Sequence, residues 1–159
     1  MYQYRCKTIA DLHKLGAIIV DQLSLPLTIE LIGDVGSGKT TLTQGIAQEL
    51  GLSEPITSPS FTISKTYQLT HPRLGQINLV HYDFYRLPDP GIMQDDLLEN
   101  TADPHTLTVI EWADSVSALL PPQRLTLHLS VQPDGSRQII SSKPLPVPDL
   151  EDQSLQEGR

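Results

Sequence analysis

This chain is short of positive charge. It has 11 Lys and Arg against 19 Asp and Glu, a formal net charge of −8 over 159 residues. That argues against a protein that grips RNA or DNA by itself, because such binding rests on cations neutralising phosphates. It has one cysteine, Cys6, so no internal disulfide can form. Cys6 falls in a predicted strand and reads as a buried, inert thiol. No apolar run approaches the ~20 residues that span a bilayer. The first residues, MYQYRCKTIADL, lack the apolar core of a signal peptide. A cytoplasmic protein with no membrane association is the expectation. The five histidines, His13, His71, His81, His105 and His128, show no metal-ligand spacing. No internal repeat is present.

What is there begins at Gly33. Residues 33–41 read GDVGSGKTT and meet the pattern G-x-x-x-x-G-K-[ST] at Gly33, Gly38, Lys39 and Thr40. Glycines let the backbone aim successive N–H groups at phosphate oxygens. Lys39 can reach the β- and γ-phosphates, and the Thr40 hydroxyl can ligate Mg²⁺. The helix that starts here adds its positive N-terminal end. The context is right for such a loop. LTIELI (27–32) reads as a buried strand before it, and TLTQGIAQEL (41–50) as a helix after it, with Leu42, Ile46, Ala47 and Leu50 on one face.

Elsewhere the pattern alternates. A strand over 2–9 leads to a helix over 10–23, with Thr8 as its cap and Asp11 as the capping-box partner. Strands are predicted over 61–67, 77–85 and 107–112, and helices over about 92–100 and 113–120. Residues 124–131 and 136–142 form a hairpin about Asp134-Gly135. The expectation is a single α/β domain over 1–142: a mixed, mostly parallel central sheet flanked by helices, with a C-terminal β-hairpin. Residues 143–159 hold three prolines and four acids and read as a disordered tail.

Ligands of such sheets sit at the carboxyl ends of the strands. Two apolar strands end in an acid there, INLVHYD at Asp83 and LTVIE at Glu111. Either could bind Mg²⁺, directly or through water, while the other orients the attacking water. His81 could support Asp83, with strand packing as the alternative. In the loop TSPSFT (57–62), Ser60 and Thr62 are candidates to face a γ-phosphate. Guanine-specific hydrolases read their base with Asn-Lys-x-Asp, and neither Asn78 nor Asn100 is followed by Lys. ATP is therefore the better fit. A small-molecule kinase is the competing class. Such kinases close an arginine-bearing lid, and only Arg124 and Arg137 lie between Trp112 and the tail. A nucleotide-gated binding module with negligible turnover is a third class.

Four segments in this order, GDVGSGKTT, TSPSFT, HYDFYRL (81–87) and IEW (110–112), resemble the TsaE (YjeE) family over residues ~1–140. The resemblance implies a P-loop NTPase-like fold and a small, weak Mg²⁺-dependent ATPase. It also implies a role in forming threonylcarbamoyladenosine in tRNA. The ATPase would dock on the TsaD and TsaB carbamoyltransferase pair, touch tRNA only through that complex, and reset the pair between turnovers. Gly33, Asp34, Val35, Gly36, Ser37, Gly38, Lys39, Thr40 and Thr41 would hold ATP or ADP. Thr40 and Glu111 would ligate Mg²⁺ with Asp83 close by. Lys39, Asp83 and Glu111 would form the catalytic set. Trp112 would lie beside the nucleotide, the adenine near Thr8 and Ile9, and Arg137 would approach from after the Asp-Gly turn. The chain departs from the family at Ser60, where Thr is usual, and over IMQDDLLEN (92–100), where a Gly-Leu-Glu-Glu-like segment is usual.

Overall fold

The computed structural model describes residues 1–59, 62–85, 87, 89–91 and 93–147. Its strands are β1 (Tyr2–Cys6), β2 (Leu27–Ile32), β3 (Ser64–His71), β4 (Gly75–Asp83), β5 (Thr106–Glu111), β6 (Leu125–Val131) and β7 (Arg137–Ser141). Its α-helices are α1 (Ile9–Gln22), α2 (Lys39–Glu49) and α3 (Met93–Ala102), and a 3₁₀ helix spans Ala113–Leu119. One sheet holds all seven strands in the order β1-β7-β6-β2-β5-β4-β3. The pairs β6–β2, β2–β5 and β5–β4 are parallel, and the outer pairs are antiparallel. The expected mixed sheet with its C-terminal hairpin β6–β7 is thus the architecture found, parallel at its centre and antiparallel at both margins.

Alternation along the strands divides the core. Ile77 and Leu79 of β4, Leu107 and Val109 of β5, and Ile29 and Leu31 of β2 pack on α1 and α2. Val80 and Tyr82 of β4 and Ile110 of β5 point the other way, onto Leu97 of α3 and Val116 of the 3₁₀ helix. Covered on both faces, β5 (TLTVIE) is buried at every position, its two threonines and closing acid included.

Local chemistry explains the ends of several elements. Thr8 caps α1, and its side chain and that of Asp11 bond each other's backbone N–H groups as a full capping box. Helices α1 and α2 touch backbone to backbone. A Cβ on Gly45 would stand 2.6 Å from His13 Cα, and one on Gly16 2.6 Å from Ile46 N. Only glycine permits that approach.

Strand β3 starts at Ser64, three residues later than the predicted 61–67, and runs on to His71. The cause is the turn before it. The Pro59 carbonyl accepts from the N–H groups of both Thr62 and Ile63, and Ile63 takes a left-handed conformation at φ 67°. The predicted helix 113–120 is a 3₁₀ helix. Buried Ala113 and Val116, with half-buried Leu119, fall at the i, i+3 spacing that this tighter helix eclipses. Beyond β7, Leu145 exchanges hydrogen bonds with the Tyr4 hydroxyl, and Val147 is buried on the α1/α2 side. The rest of the acidic segment, 148–159, lies outside the described residues.

Candidate functional site

Sheet polarity brings the candidate residues to one edge. Strands β2, β5 and β4 run parallel, so the loop after Ile32, Glu111 and Asp83 all lie at carboxyl ends, with Asp83 and Glu111 as Cα partners in register. Strand β1 points the same way and β7 is antiparallel to it, so Cys6 and Arg137 are also partners at this edge. A cleft of about 590 Å³ opens there, within the range of ligand sites. Its walls are the β1–α1 junction (Cys6 to Ile9, with Leu12), the loop and the start of α2, then Ser58, Asp83, Tyr85, Glu111, Trp112 and Arg137.

The loop is shaped by its glycines. Gly36 and Gly38 have φ of 81° and 109°, values that disfavour any L side chain. Gly33 presses on β6: a Cβ there would lie 2.4 Å from the Leu129 carbonyl oxygen. The Ser37 N–H donates to the Asp34 carbonyl at 3.1 Å. Ser37 is buried, and its hydroxyl has no hydrogen-bond partner among the described residues. The first N–H groups of α2 have no intrahelical acceptor. Loop and helix end together present unsatisfied donors suited to an anion.

Lys39 is buried at the start of α2. Its Nζ donates to the carbonyls of Gly33 at 2.6 Å and Asp34 at 2.9 Å and lies 4.9 Å from the centroid of the Trp112 ring. Burial pushes its ammonium below the ordinary lysine range, while the carboxylates of Glu111, Asp83 and Asp34 pull it back up. Trp112 is held at φ 56°, a left-handed conformation uncommon outside glycine. That turn directs its ring over the cleft, 4.8 Å from the Tyr85 ring.

The two acids have different partners. Asp83 accepts from the Tyr85 N–H at 2.9 Å and from the Ser58 hydroxyl at 2.7 Å. Glu111, buried, is bonded by His81 Nε2 at 3.0 Å. His81 therefore supports Glu111, where the sequence had offered either support of Asp83 or strand packing. Both acids sit on the α1/α2 side of the sheet with His81, one alternation step deeper on β4. Arg137 donates to the Gly36 carbonyl at 3.3 Å and so lies against the loop tip.

Not every predicted residue arrives here. Thr62 turns away, its hydroxyl donating to the Ser64 carbonyl, and Ser60 lies outside the described residues. Among the described residues of that loop, Ser58, not singled out in the sequence, is the hydroxyl that reaches the site. Composition could not single it out among the hydroxyls of TSPSFT. Tyr85 was equally hidden, its pairing with Trp112 being a cross-strand event. Arg124 lies at the opposite edge, ion-paired with Glu30.

A glycine loop after a central parallel strand, with two acids at the ends of neighbouring strands, defines the phosphate-loop α/β class. Comparison with known proteins narrows this. The family model for the threonylcarbamoyl adenosine biosynthesis protein TsaE matches residues 6–139. The TsaE protein of Treponema pallidum is 32% identical over 137 residues, 85% of this chain and 97% of that protein. That of Bacillus subtilis is 36% identical over 113 residues, 71% and 66% of the two chains. The crystal structure of Bacillus subtilis YdiB superposes with a TM-score of 0.69 at 27% identity, covering 87% of this chain and 84% of that one. The chain belongs to the TsaE family, whose role is in tRNA threonylcarbamoyladenosine biosynthesis.

Proposed function

We propose that this chain is a weak Mg²⁺-dependent ATPase of the cytoplasm that acts on the TsaD–TsaB carbamoyltransferase pair. It meets tRNA only through that assembly. The observation that carries the reading is the convergence of Lys39, Thr40, Asp83 and Glu111 on one cleft beside the glycine loop.

The residues fit the groups they would hold. The unpartnered Ser37 hydroxyl and the loop N–H groups suit phosphate oxygens. Thr40, Glu111 and Asp83 offer hard oxygen donors. Mg²⁺ keeps waters and phosphate oxygens among its ligands, so a few protein oxygens suffice to hold it. Mg²⁺ there would neutralise charge on the phosphates. Across the sheet, Thr8 and Ile9 at the β1 side would face the base, the loop the phosphates, and β5 and β4 the metal. Lys39 would meet the β/γ-phosphates, the acids would hold water at the metal, and Arg137 would steady the loop tip.

Mg²⁺-dependent ATP hydrolysis, measured with and without purified TsaD–TsaB and with Lys39→Ala as the blank, tests this. Activity raised by the pair is the expected result. A chain that binds neither ATP nor the pair overturns the proposal.

A further inference from the structure

One of the buried polar groups with no part in the proposed chemistry lies directly against a site acid. His81 is fully buried on β4. Its Nε2 lies 3.0 Å from Glu111 Oε1, and since a carboxylate oxygen only accepts, Nε2 carries the hydrogen. Its Nδ1 is buried with no hydrogen-bond partner among the described residues. Leaving such an atom unpaired in the interior carries a desolvation cost. An apolar side chain would fill the same space without that cost, so the ring's contribution lies at its other nitrogen. Glu111 is 4% exposed, and a buried carboxylate needs both compensation and a fixed rotamer to point an oxygen at a ligand.

We propose that His81 is a positioning residue: by holding Oε1 it leaves Oε2 of Glu111 aimed into the cleft, and so sets the affinity of the site for Mg²⁺ with nucleotide. It touches neither ligand. The inference rests on the reading of Glu111 as a metal-side carboxylate. It follows from the alternation of β4 and β5, which puts His81 behind Asp83 and Glu111 on one face of the sheet. Groups that orient a metal ligand typically alter metal affinity 10–100-fold when removed, to order of magnitude.

Trp112 is the chain's single tryptophan and lines the cleft, so its fluorescence reads ATP binding without turnover. The experiment titrates Mg²⁺ at fixed ATP for the wild type, His81→Leu, His81→Gln, His81→Asn, Glu111→Gln and the His81→Leu/Glu111→Gln double variant. The half-saturating Mg²⁺ concentration should rise about 10–100-fold in His81→Leu. His81→Gln, whose amide nitrogen can replace Nε2, should recover most of the loss. His81→Asn, which places its nitrogen near the Nδ1 position, should not. The double variant should be no worse than Glu111→Gln alone. Wild-type Mg²⁺ dependence in His81→Leu overturns the inference. If that variant does not fold, equal behaviour of His81→Gln and His81→Asn overturns it instead. A Mg²⁺ dependence already identical in wild type and Glu111→Gln overturns the metal-side reading of Glu111 along with it, and that comparison is made without any His81 variant.

Discussion

The Lys39 ammonium lies 4.9 Å from the centre of the Trp112 ring and donates to the carbonyls of Gly33 and Asp34. The strained turn at Trp112, φ 56°, is what brings the ring there. Such strain costs on the order of 1–3 kcal/mol and persists where its surroundings enforce it. Here the 3₁₀ helix, packed through Ala113 and Val116, leads directly from it. Lys39→Ala removes this cation from the loop. Turnover of ATP should fall at least about 100-fold, the usual scale for losing a preorganised electrostatic partner, while far-ultraviolet circular dichroism stays native. Unchanged ATP binding and hydrolysis would place the site elsewhere.

Ser58→Ala removes the hydroxyl bonded to Asp83 at 2.7 Å. A net hydrogen bond is worth about 0.5–1.5 kcal/mol, so turnover should drop roughly 2- to 12-fold. Steady-state kinetics would read the effect in kcat, with Asp83 less fixed. A drop in Thr62→Ala of equal size would contradict the assignment, because that hydroxyl faces Ser64.

The Gly16–Gly45 crossing predicts a stability effect distant from the chemistry. In Gly45→Ala the new methyl meets His13 backbone atoms at 2.6 and 2.9 Å. Overpacking of this kind costs about 1–3 kcal/mol, and the thermal midpoint should fall by about 2–12 °C for a domain of this size. A midpoint equal to wild type would mean that the α1–α2 packing yields at no cost.

Burial, with the negative charge of Asp11 adding to it, pushes the Cys6 thiol from its ordinary 9.0 up to about 12. The folded state therefore keeps a proton that the unfolded chain loses first. The stability this contributes is complete below pH 9 and is lost as pH rises towards 12. Thermal melts between pH 8 and 11 should show the wild type losing stability faster than Cys6→Ala. A thiol reagent at pH 8 should label the unfolded protein and spare the native one. Rapid native labelling would refute the buried assignment.

Much of this was legible in the linear chain because it is written locally. A glycine loop between a strand and a helix is a short-range pattern, and so are the Thr8–Asp11 capping box and the acids that close apolar runs at Asp83 and Glu111. Their common edge followed from strand polarity alone. Where local cues conflict, strand bounds and helix type are not legible in the sequence. Pro59 bound two N–H groups and delayed β3, and Ala113, Val116 and Leu119 satisfied a period of three as well as a period of 3.6.

Partnership was not legible. Sequence offered Asp83 as the partner of His81, two residues away, and three-dimensional packing chose Glu111, thirty residues on. Ser58 reached Asp83 while Thr62 did not, and Tyr85 met Trp112 across neighbouring strands. These choices depend on which strands neighbour one another and in what register. Both are set by burying the two apolar faces of the sheet together, a property of the whole chain that no short segment contains.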